Sequence, residues 1–191
     1  MSAPLHATVP PDSRQFRDAI GQFATGVAVI ACEIENEVHA MTANAVSSLS
    51  LEPMQILFCP SKKARMFQAP EAVRRYTVNI LRREQQALST YFARAWKDST
   101  PPPYRFVPSA GGPRLEGSLA SLSCETHQLV DGGDHWIVIG RVLELHRGVL
   151  PHRPLVFFNG KYCSIDFSEG RPAPDLTNVQ DEPPHIYYDH H

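Results

Sequence analysis

The chain reads His39-Ala-Met-Thr-Ala-Asn-Ala-Val-Ser-Ser48 at the point that decides its fold. This stretch is typical of a β-strand, yet small residues and side-chain oxygens stand where a core strand would carry Val, Ile or Leu. Small side chains let a flat ligand approach the backbone, and Thr, Asn and Ser offer hydrogen bonds to its edge. We therefore predict a strand that lies against a flat polar ligand. From the pattern alone, a mildly polar edge strand explains these residues equally well.

Apolar runs on both sides indicate that this strand, expected over residues 38–46, belongs to a sheet. Residues 27–32 form a continuous apolar run with β-branched residues, and residues 54–59 form a second run after the turn signal Leu51-Glu52-Pro53. Runs of this length and composition, bounded by turn residues, predict buried strands. A further strand is expected over residues 76–81.

The second apolar run is followed by a basic turn and then by a helical pattern over residues 66–69. Ser61 is expected to cap that helix, whose free N–H groups carry partial positive charge. Full charges are added by Lys62, Lys63 and Arg65. Together with the small polar strand, this turn predicts a site for a mononucleotide with a flat head and a phosphate tail. A solvated basic helix face is the alternative explanation of the same residues.

The remaining pattern predicts strands and hairpins with few helices. Ser13 offers an N-cap to a helix whose residues Phe16, Ile20 and Phe23 share a face, which we expect to pack on the sheet. The other expected elements are a helix over residues 84–96, a long loop over 97–114, long strands over 119–129 and 135–146, and a hairpin of strands 155–158 and 161–165 turning at Asn159-Gly160. This antiparallel pattern favours a closed barrel with peripheral helices over a doubly wound sheet.

The two ends of the chain differ in composition from its middle. Residues 1–12 hold three prolines and predict a flexible arm, while residues 13–166 carry the periodic pattern of the barrel domain. From residue 167 to residue 191 the chain is rich in Pro, Asp and Glu, which predicts an extended tail.

Composition excludes several classes of protein. The chain has 191 residues, 42% of them hydrophobic, and a net charge of −2, which fits one globular domain and indicates neither nucleic acid nor a membrane as partner. Since neither a spanning segment nor a signal sequence is evident, we expect a cytoplasmic protein. Cys32, Cys59, Cys124 and Cys163 are widely spaced, which predicts buried reduced thiols rather than a redox pair, and we expect no metal site.

A set of short motifs occurs along the chain in the order found in one known family. The motifs are Phe16-Arg17-Asp18-Ala19-Ile20-Gly21-Gln22-Phe23-Ala24-Thr25-Gly26-Val27, Met41-Thr42-Ala43-Asn44-Ala45, Val78-Asn79-Ile80-Leu81, Leu88-Ser89 with Phe92-Ala93, Gly133-Asp134-His135 and Gly160-Lys161-Tyr162. Together they resemble the short-chain flavin reductases of two-component monooxygenase systems, over roughly residues 14 to 165.

The resemblance implies a fold and an activity. The fold is a mainly β, FMN-binding split β-barrel, antiparallel and Greek-key-like, with peripheral α-helices, and the implied assembly is a homodimer. The implied activity is reduction of FMN or FAD by NADH or NADPH, with the reduced flavin passing to a partner monooxygenase. Two alternatives stay open: a tight flavoprotein that reduces a ferric chelate, a corrinoid or a quinone, and a non-catalytic flavin-binding or haem-binding protein on the same barrel.

The resemblance also assigns roles to individual residues. His135 is the catalytic candidate, expected to orient the nicotinamide while Asp134 fixes its tautomer. The expected flavin-binding residues are Thr42, Ala43, Asn44 and Ala45 at the ring edge, Ser47 and Ser48 at the ribityl chain or phosphate, Ser61, Lys62, Lys63 and Ala64 at the phosphate, and Gly160 and Tyr162 on the opposite wall.

Overall fold

The structure is a computed structural model that describes residues 10, 12–148 and 153–165. The predicted arm and tail fall almost wholly outside these residues. The elements are α1 (Ser13–Ile20), β1 (Thr25–Gly26), β2 (Ala28–Ile34), β3 (Glu37–Ala43), β4 (Val46–Leu51), β5 (Met54–Phe58), β6 (Arg75–Ile80), α2 (Gln86–Phe92), β7 (Phe106–Ser109), β8 (Gly112–Leu115), β9 (Ala120–Gly132), β10 (His135–Arg147), β11 (Val156–Phe158) and β12 (Lys161–Cys163), with 3-10 turns at Arg65–Phe67, Pro70–Ala72 and Arg83–Gln85.

Seven strands form one antiparallel sheet in the order β3-β2-β6-β9-β10-β5-β4. Its two edge strands, β3 and β4, are consecutive in the chain and are joined only by Asn44-Ala45, so the sheet must curl until its edges meet. At this link, the backbone N–H of Cys59 donates a hydrogen bond to the carbonyl of Ala45, with an N···O distance of 3.1 Å. The predicted mainly β, antiparallel barrel is confirmed. The single strand expected over residues 38–46 is wrong, because the chain changes sheet edge at this link.

The barrel interior is filled by alternate residues of its strands. On β2, Ala28, Ile30 and Cys32 face the main core, as the two-residue period of a strand requires. Tyr76 and Phe58 lie at its centre with ring centroids 5.1 Å apart. The ring of Tyr76 also explains a glycine in β10, because a Cβ on Gly140 would lie 1.9 Å from the Tyr76 hydroxyl.

A second core lies on the outside of the barrel wall. Val29 of β2 and Leu81 are fully buried there against α2 and the two small hairpins. The hairpin of β7 and β8 lies within the region predicted to be a long loop. That prediction is wrong because Phe106, at the start of the hairpin, packs against this core, as does Leu115 at its end.

Helix α1 differs from its prediction in two respects. Its N-cap is Asp12, whose carboxylate accepts hydrogen bonds from the backbone N–H groups of Arg14 and Gln15, so Ser13 is the first helical residue and not the cap. No residue of the helix is buried, and Phe16 is 65% exposed. The prediction that α1 packs on the sheet of its own chain is therefore wrong.

All four cysteines are free thiols, and they differ in burial. Cys32 and Cys124 are buried, whereas Cys59 and Cys163 are partly exposed. Burial raises the pKa of Cys32 and of Cys124 to about 12, so both remain thiols at neutral pH. Within residues 12–148 and 153–165, His, Cys, Asp and Glu side chains form no cluster of three or more that could hold a metal. None of the helices that the structure describes has the length and hydrophobicity to span a bilayer.

Candidate functional site

A cleft of about 670 Å³ runs along the outer edge of the barrel sheet. One wall is residues 38–42 of β3, which has β2 as its sheet neighbour on one side only. The cleft is also lined by residues 63–66, which follow β5, by residues 91–94 at the end of α2, and by Trp96, Asp98 and Tyr104. We call this the β3 cleft. Of the residues predicted to bind flavin, Thr42, Lys63 and Ala64 line it.

Thr42 is held by a network that sequence reasoning did not assign to the site. Its hydroxyl donates to the backbone carbonyl of Ser89 at 2.6 Å, and the hydroxyls of Ser89 and Tyr162 share a hydrogen bond at 2.8 Å. Ser89 is fully buried. Ser89 of α2 therefore joins β3 to β12, because it forms hydrogen bonds with two predicted site residues, Thr42 and Tyr162. The only sequence signal for Ser89 was its place in the Leu88-Ser89 motif.

The hairpin that carries Gly160 and Tyr162 forms as predicted. Asn159 and Gly160 have φ values of 47° and 75°, the left-handed pair that a two-residue turn between antiparallel strands requires. Tyr162 packs edge-on against Phe157 with centroids 5.4 Å apart. Neither Gly160 nor Tyr162 lines the β3 cleft.

The basic turn after β5 is not capped as predicted. The helix expected there is a 3-10 turn of three residues, Arg65–Phe67, and its N-cap residue Ala64 makes no side-chain capping bond. The Ser61 hydroxyl instead accepts from the backbone N–H of Lys63 at 3.2 Å. So short a helix has almost no dipole, which leaves the cationic side chains as the main attraction for an anion.

The charge of Lys62 is paired with a carboxylate of the same chain at the protein surface. Its ammonium lies 2.6 Å from the carboxylate of Asp131 and 4.6 Å from the ring centroid of Trp136. The bond from Lys62, followed by one from the Gly133 backbone, lowers the pKa of Asp131. Lys63 and Arg65, by contrast, line the β3 cleft with exposed side chains. They are better placed than Lys62 to meet a phosphate.

The same turn is fastened to the strand that carries His135. Ser61 forms an isolated antiparallel bridge with His135, and the backbone N–H of Lys62 donates to the carbonyl of Asp134 at 3.0 Å. The backbone N–H of Trp136 donates to the Pro60 carbonyl at 2.9 Å. The two predicted binding regions, 61–64 and 134–135, are thus one rigid unit.

His135 has the partner that the sequence predicted. Its Nδ1 lies 2.7 Å from the Asp134 carboxylate, and its side chain is 45% exposed. This hydrogen bond lowers the pKa of Asp134. Because the carboxylate accepts a hydrogen bond from Nδ1–H, the tautomer is set, and Nε2 is the acceptor nitrogen left for a ligand.

The remaining predicted residues lie at the end of β3, in the link to β4 and on β4 itself. Ala43 ends β3 and packs against the main core, while Asn44 and Ala45 are exposed in the link, with the Asn44 amide 3.4 Å from the Thr25 hydroxyl. Ser47 and Ser48 lie on β4 and line a different cleft of about 390 Å³. The structure therefore does not bring Ser47 and Ser48 into the β3 cleft with Thr42.

Comparison with known proteins agrees with this architecture. The sequence profile of the flavin reductase like domain matches residues 20–166. The chain belongs to the flavin reductase-like family. The family that its motifs resemble is thereby confirmed.

Similar members of the flavin reductase-like family carry related names. The reductase subunit HsaB of a flavin-dependent monooxygenase from Rhodococcus jostii is 37% identical over 163 residues, covering 85% of this chain and 83% of that protein. An NADH-dependent flavin reductase from a Rhodococcus species is 38% identical over 161 residues, covering 83% and 89%. The solved structure of the flavin reductase PheA2 superposes with a TM-score of 0.76 at 39% identity, covering 82% of this chain and 99% of that one.

The β3 cleft has the properties that a flavin of this family needs. Its volume lies within the range of roughly 300–1,000 Å³ common for small-molecule sites. Ala40, Ala64 and Ala93 leave room for a flat ring, and the outer edge of β3 carries backbone groups that can bond the ring edge. Lys63 and Arg65 supply positive charge at one wall. These residues could hold the ring and the phosphate of a flavin.

Proposed function

We propose that this chain is a flavin reductase that uses NADH to reduce FMN or FAD and supplies the reduced flavin to a partner monooxygenase. The relatives named as NADH-dependent flavin reductases or monooxygenase reductase subunits support it. The observation that carries it is the fastening of the basic turn at Ser61 to the strand of His135, beside the cleft along β3. One rigid unit thereby serves both a phosphate-bearing flavin and a second ligand at His135.

The chemistry asks little of protein acids and bases. A bound flavin accepts a hydride at its ring from the nicotinamide, and the protein supplies orientation and a partly dry surface. In this proposal the edge of β3 holds the ring, Lys63 and Arg65 neutralise the phosphate, and Nε2 of His135 accepts a hydrogen bond from the carboxamide N–H of the nicotinamide. Asp134 keeps the imidazole in the tautomer whose Nδ1 carries the hydrogen and whose Nε2 accepts.

We expect the flavin to exchange with solution. Lys63 and Arg65 are exposed, and electrostatic contacts at an exposed site are screened by water and salt. Such a site favours release of the reduced flavin to a monooxygenase over permanent retention. The cytoplasm, which supplies NADH, remains the location that we expect.

A homodimer is the proposed assembly, and exposed apolar surface supports it. Phe16 and Phe23 are 65% and 71% exposed beside α1, and Leu51, Met54 and Leu145 are about half exposed on one face of the barrel sheet. Soluble monomers rarely leave such patches uncovered. Sedimentation equilibrium measures the state directly, and a monomer at working concentration would reject this part of the proposal.

The activity is tested by following NADH oxidation with and without added FMN, FAD and riboflavin. We expect strong stimulation by free flavin and delivery of the reduced product to a flavin-dependent monooxygenase held behind a dialysis membrane. Flavin binding without NADH oxidation would reject the proposal in favour of a binding protein. Slow flavin exchange with rapid reduction of a ferric chelate or quinone would reject the supply role.

Replacing His135 by alanine is expected to raise the KM for NADH by about tenfold, the loss of roughly one hydrogen bond, with little change in flavin affinity. Steady-state kinetics with NADH varied, together with flavin fluorescence titrations, provide the measurement. The matched variant Asp134→Asn should cause a smaller increase in the KM for NADH, because the imidazole ring remains and only the carboxylate that fixes its tautomer is lost. Unchanged saturation by NADH in His135→Ala would remove this residue from the nicotinamide site.

Replacing Lys62 by methionine is expected to leave the preference for FMN over riboflavin intact and to raise the KM for NADH by roughly threefold to tenfold. The reason is that Lys62 secures the turn of β9 and β10, which carries His135, and does not line the cleft. Asp131→Asn, which breaks the same ion pair from the other side, should show the same pattern. A selective loss of FMN affinity in Lys62→Met would restore Lys62 as a phosphate ligand.

A further inference from the structure

Four arginines lie close together beyond the end of β6, and none of them lines the β3 cleft. Arg82 and Arg83 come just after β6, and Arg82 forms an isolated antiparallel bridge with Pro154. The backbone N–H of Arg83 donates to the carbonyl of Arg153 at 2.8 Å. These contacts place Arg82, Arg83 and Arg153 on two segments that run side by side.

The fourth arginine, Arg105, joins the same surface through Glu116. The Nε of Arg105 lies 3.5 Å from the Glu116 carboxylate, and the backbone N–H of Glu116 donates to the Arg105 carbonyl at 3.0 Å. The carbonyl of Glu116 accepts from the Gln85 side-chain amide at 3.5 Å. The next residue, Gly117, lies against Arg82, because a Cβ there would be 3.5 Å from Nη2 of that arginine. Arg105 and Arg82 therefore belong to one continuous surface.

We call these four residues the arginine surface, and it is positive although the chain is negative overall. Three of them are exposed, and the side chain of the fourth, Arg82, is 32% exposed. The ion pairs that the structure describes here are long: Glu84 lies 4.0 Å from Arg82, and Glu116 lies 3.5 Å from Arg105. Four guanidinium groups thus face two carboxylates, whereas the whole chain has a net charge of −2.

The centre of the arginine surface is ordered before any partner binds. The Nε of Arg82 is buried, and the backbone N–H of Arg82 donates to the side-chain oxygen of Gln85 at 3.1 Å. Gln85 itself is only 6% exposed. A guanidinium held in this way loses less conformational entropy on binding than a freely moving one.

The shape of the arginine surface indicates a macromolecular partner. Its residues line neither the β3 cleft nor the cleft of Ser47 and Ser48, and small-molecule sites are normally concave. Arginine is enriched in protein interfaces and pairs with carboxylates through two parallel hydrogen bonds. The negative charge of the whole chain opposes the long-range attraction that nucleic acid binding requires. An acidic protein surface is therefore the partner that fits.

Helix α2 connects the arginine surface to the β3 cleft. The 3-10 turn Arg83–Gln85 leads directly into α2 (Gln86–Phe92), and residues 91–94 at the end of α2 line the cleft. A helix of this length spans roughly 10 Å. A protein bound at the arginine surface would therefore lie about one helix length from the cleft.

We propose that the arginine surface docks an acidic face of the monooxygenase that receives the reduced flavin. The inference rests on the proposed function and adds a surface to it. Free reduced flavin gives two electrons and two protons to O2, forming oxidised flavin and hydrogen peroxide, so a short transfer path raises the share that reaches the acceptor. Electrostatic docking of this kind is weakened by salt, and flavin still crosses through solution when the two proteins are kept apart.

The experiment uses the oxygenase that works with HsaB, the 37% identical reductase subunit from Rhodococcus jostii, as the acceptor. Interferometry measures its binding to the reductase, and the coupling ratio is the amount of oxygenated product formed per NADH oxidised. The Kd should rise at least about tenfold between about 50 mM and 300 mM salt. The coupling ratio at low salt should be higher in mixed solution than across a dialysis membrane. Equal coupling in both arrangements would overturn the proposal.

Two variants and one control assign the effect to the arginine surface. Arg83→Glu should raise the Kd for the oxygenase about tenfold, and Arg105→Ala about threefold. Both should lower the coupling ratio and leave kcat and the KM for NADH with free FMN unchanged. Arg83→Lys, which keeps the charge, should retain most of the binding. Arg74→Glu, an exposed charge reversal just before β6 and roughly 20 Å from the arginine surface, is the control and should change neither value.

The outcomes separate this proposal from the proposed function. If the oxygenase binds and loses affinity in Arg83→Glu but NADH is not oxidised, the docking surface stands while the reductase function fails. If flavin is reduced and delivered with no effect of salt or of Arg83→Glu, the docking proposal is wrong. Slower NADH oxidation in Arg83→Glu would assign the residue to the reaction itself, and binding of duplex DNA in place of the oxygenase would assign the surface to nucleic acid; either result rejects the proposal.

Discussion

Replacing Lys63 and Arg65 together by methionine is expected to weaken FMN binding by about a hundredfold or more and to leave riboflavin binding nearly unchanged. Both side chains line the β3 cleft, and the Lys63 charge also contributes to lowering the pKa of Asp134, after the larger effect of His135. A hydrogen bond to a charged group contributes about 1.5–3 kcal/mol, so two such bonds account for at least about 3 kcal/mol. Riboflavin lacks the phosphate and should lose only the packing of the two methylene chains.

Fluorescence titrations with FMN and riboflavin at several salt concentrations measure this difference. For wild-type protein, FMN affinity should fall with added salt more steeply than riboflavin affinity, and the double variant should lose that dependence. Lys62→Met provides a control that removes one positive charge immediately before Lys63 in the chain. Equal losses for FMN and riboflavin in the double variant would mean that the phosphate lies elsewhere.

Replacing Asn79 by leucine is expected to lower the free energy of unfolding by about 3–5 kcal/mol. Asn79 is fully buried, and its amide donates to the Val29 carbonyl at 3.0 Å and to the Thr77 hydroxyl at 2.9 Å. Its carbonyl accepts from the Leu115 backbone N–H and from the Ser121 hydroxyl, both at 2.9 Å. Leucine has a similar volume but leaves these buried partners unsatisfied.

Urea unfolding followed by intrinsic fluorescence tests the prediction. Gln128→Leu, at an exposed position of β9, is the control and should change stability by no more than about 0.5 kcal/mol. A stability close to that of wild type for Asn79→Leu would show that the Val78-Asn79-Ile80-Leu81 motif is kept for some reason other than this network. The expected loss would identify the motif as a structural junction that joins β8 to the barrel wall.

Local patterns in the sequence were sufficient for most of the barrel. Residues 27–32 are a continuous apolar run, which β2 covers closely because a strand buried on both faces needs apolar side chains at every position. Residues 54–59 are mostly apolar, and β5 covers them although only alternate residues of that strand are buried. The Asn159-Gly160 turn was equally predictable, since few other residue pairs adopt two left-handed conformations in succession. These features depend on neighbouring residues only.

The errors occur where a distant part of the chain determines the outcome. The helical pattern of Phe16, Ile20 and Phe23 is real, but these side chains stay exposed in the single chain, and a local pattern does not tell which surface covers them. The break between β3 and β4 likewise has no strong turn residue, because closure of the barrel imposes it. In the region predicted as a loop, Phe106 belongs to a strand because the outer core has a place for it.

The motifs and the basic turn named several residues that share one cleft, but they did not distinguish the contacts that neighbouring residues make. Thr42, Lys63 and Ala64 share one cleft as the combination of a polar strand and a basic turn predicted. Lys62 and Lys63 are indistinguishable in sequence, yet the charge of Lys62 is used by Asp131, which lies 69 positions away. Ser89 holds Tyr162 across 73 positions and gave no local signal of that role.

The sequence by itself determined most strands, the Asn159-Gly160 turn and the family, because apolar periodicity, left-handed turn residues and short motifs are properties of contiguous residues. Only the tertiary structure decided which cations line the β3 cleft and which backbone carbonyl accepts the hydrogen bond of the Thr42 hydroxyl. Those outcomes depend on pairings between strands and loops that are distant in the chain, and each is selected by the packing of the closed barrel rather than by the residues on either side.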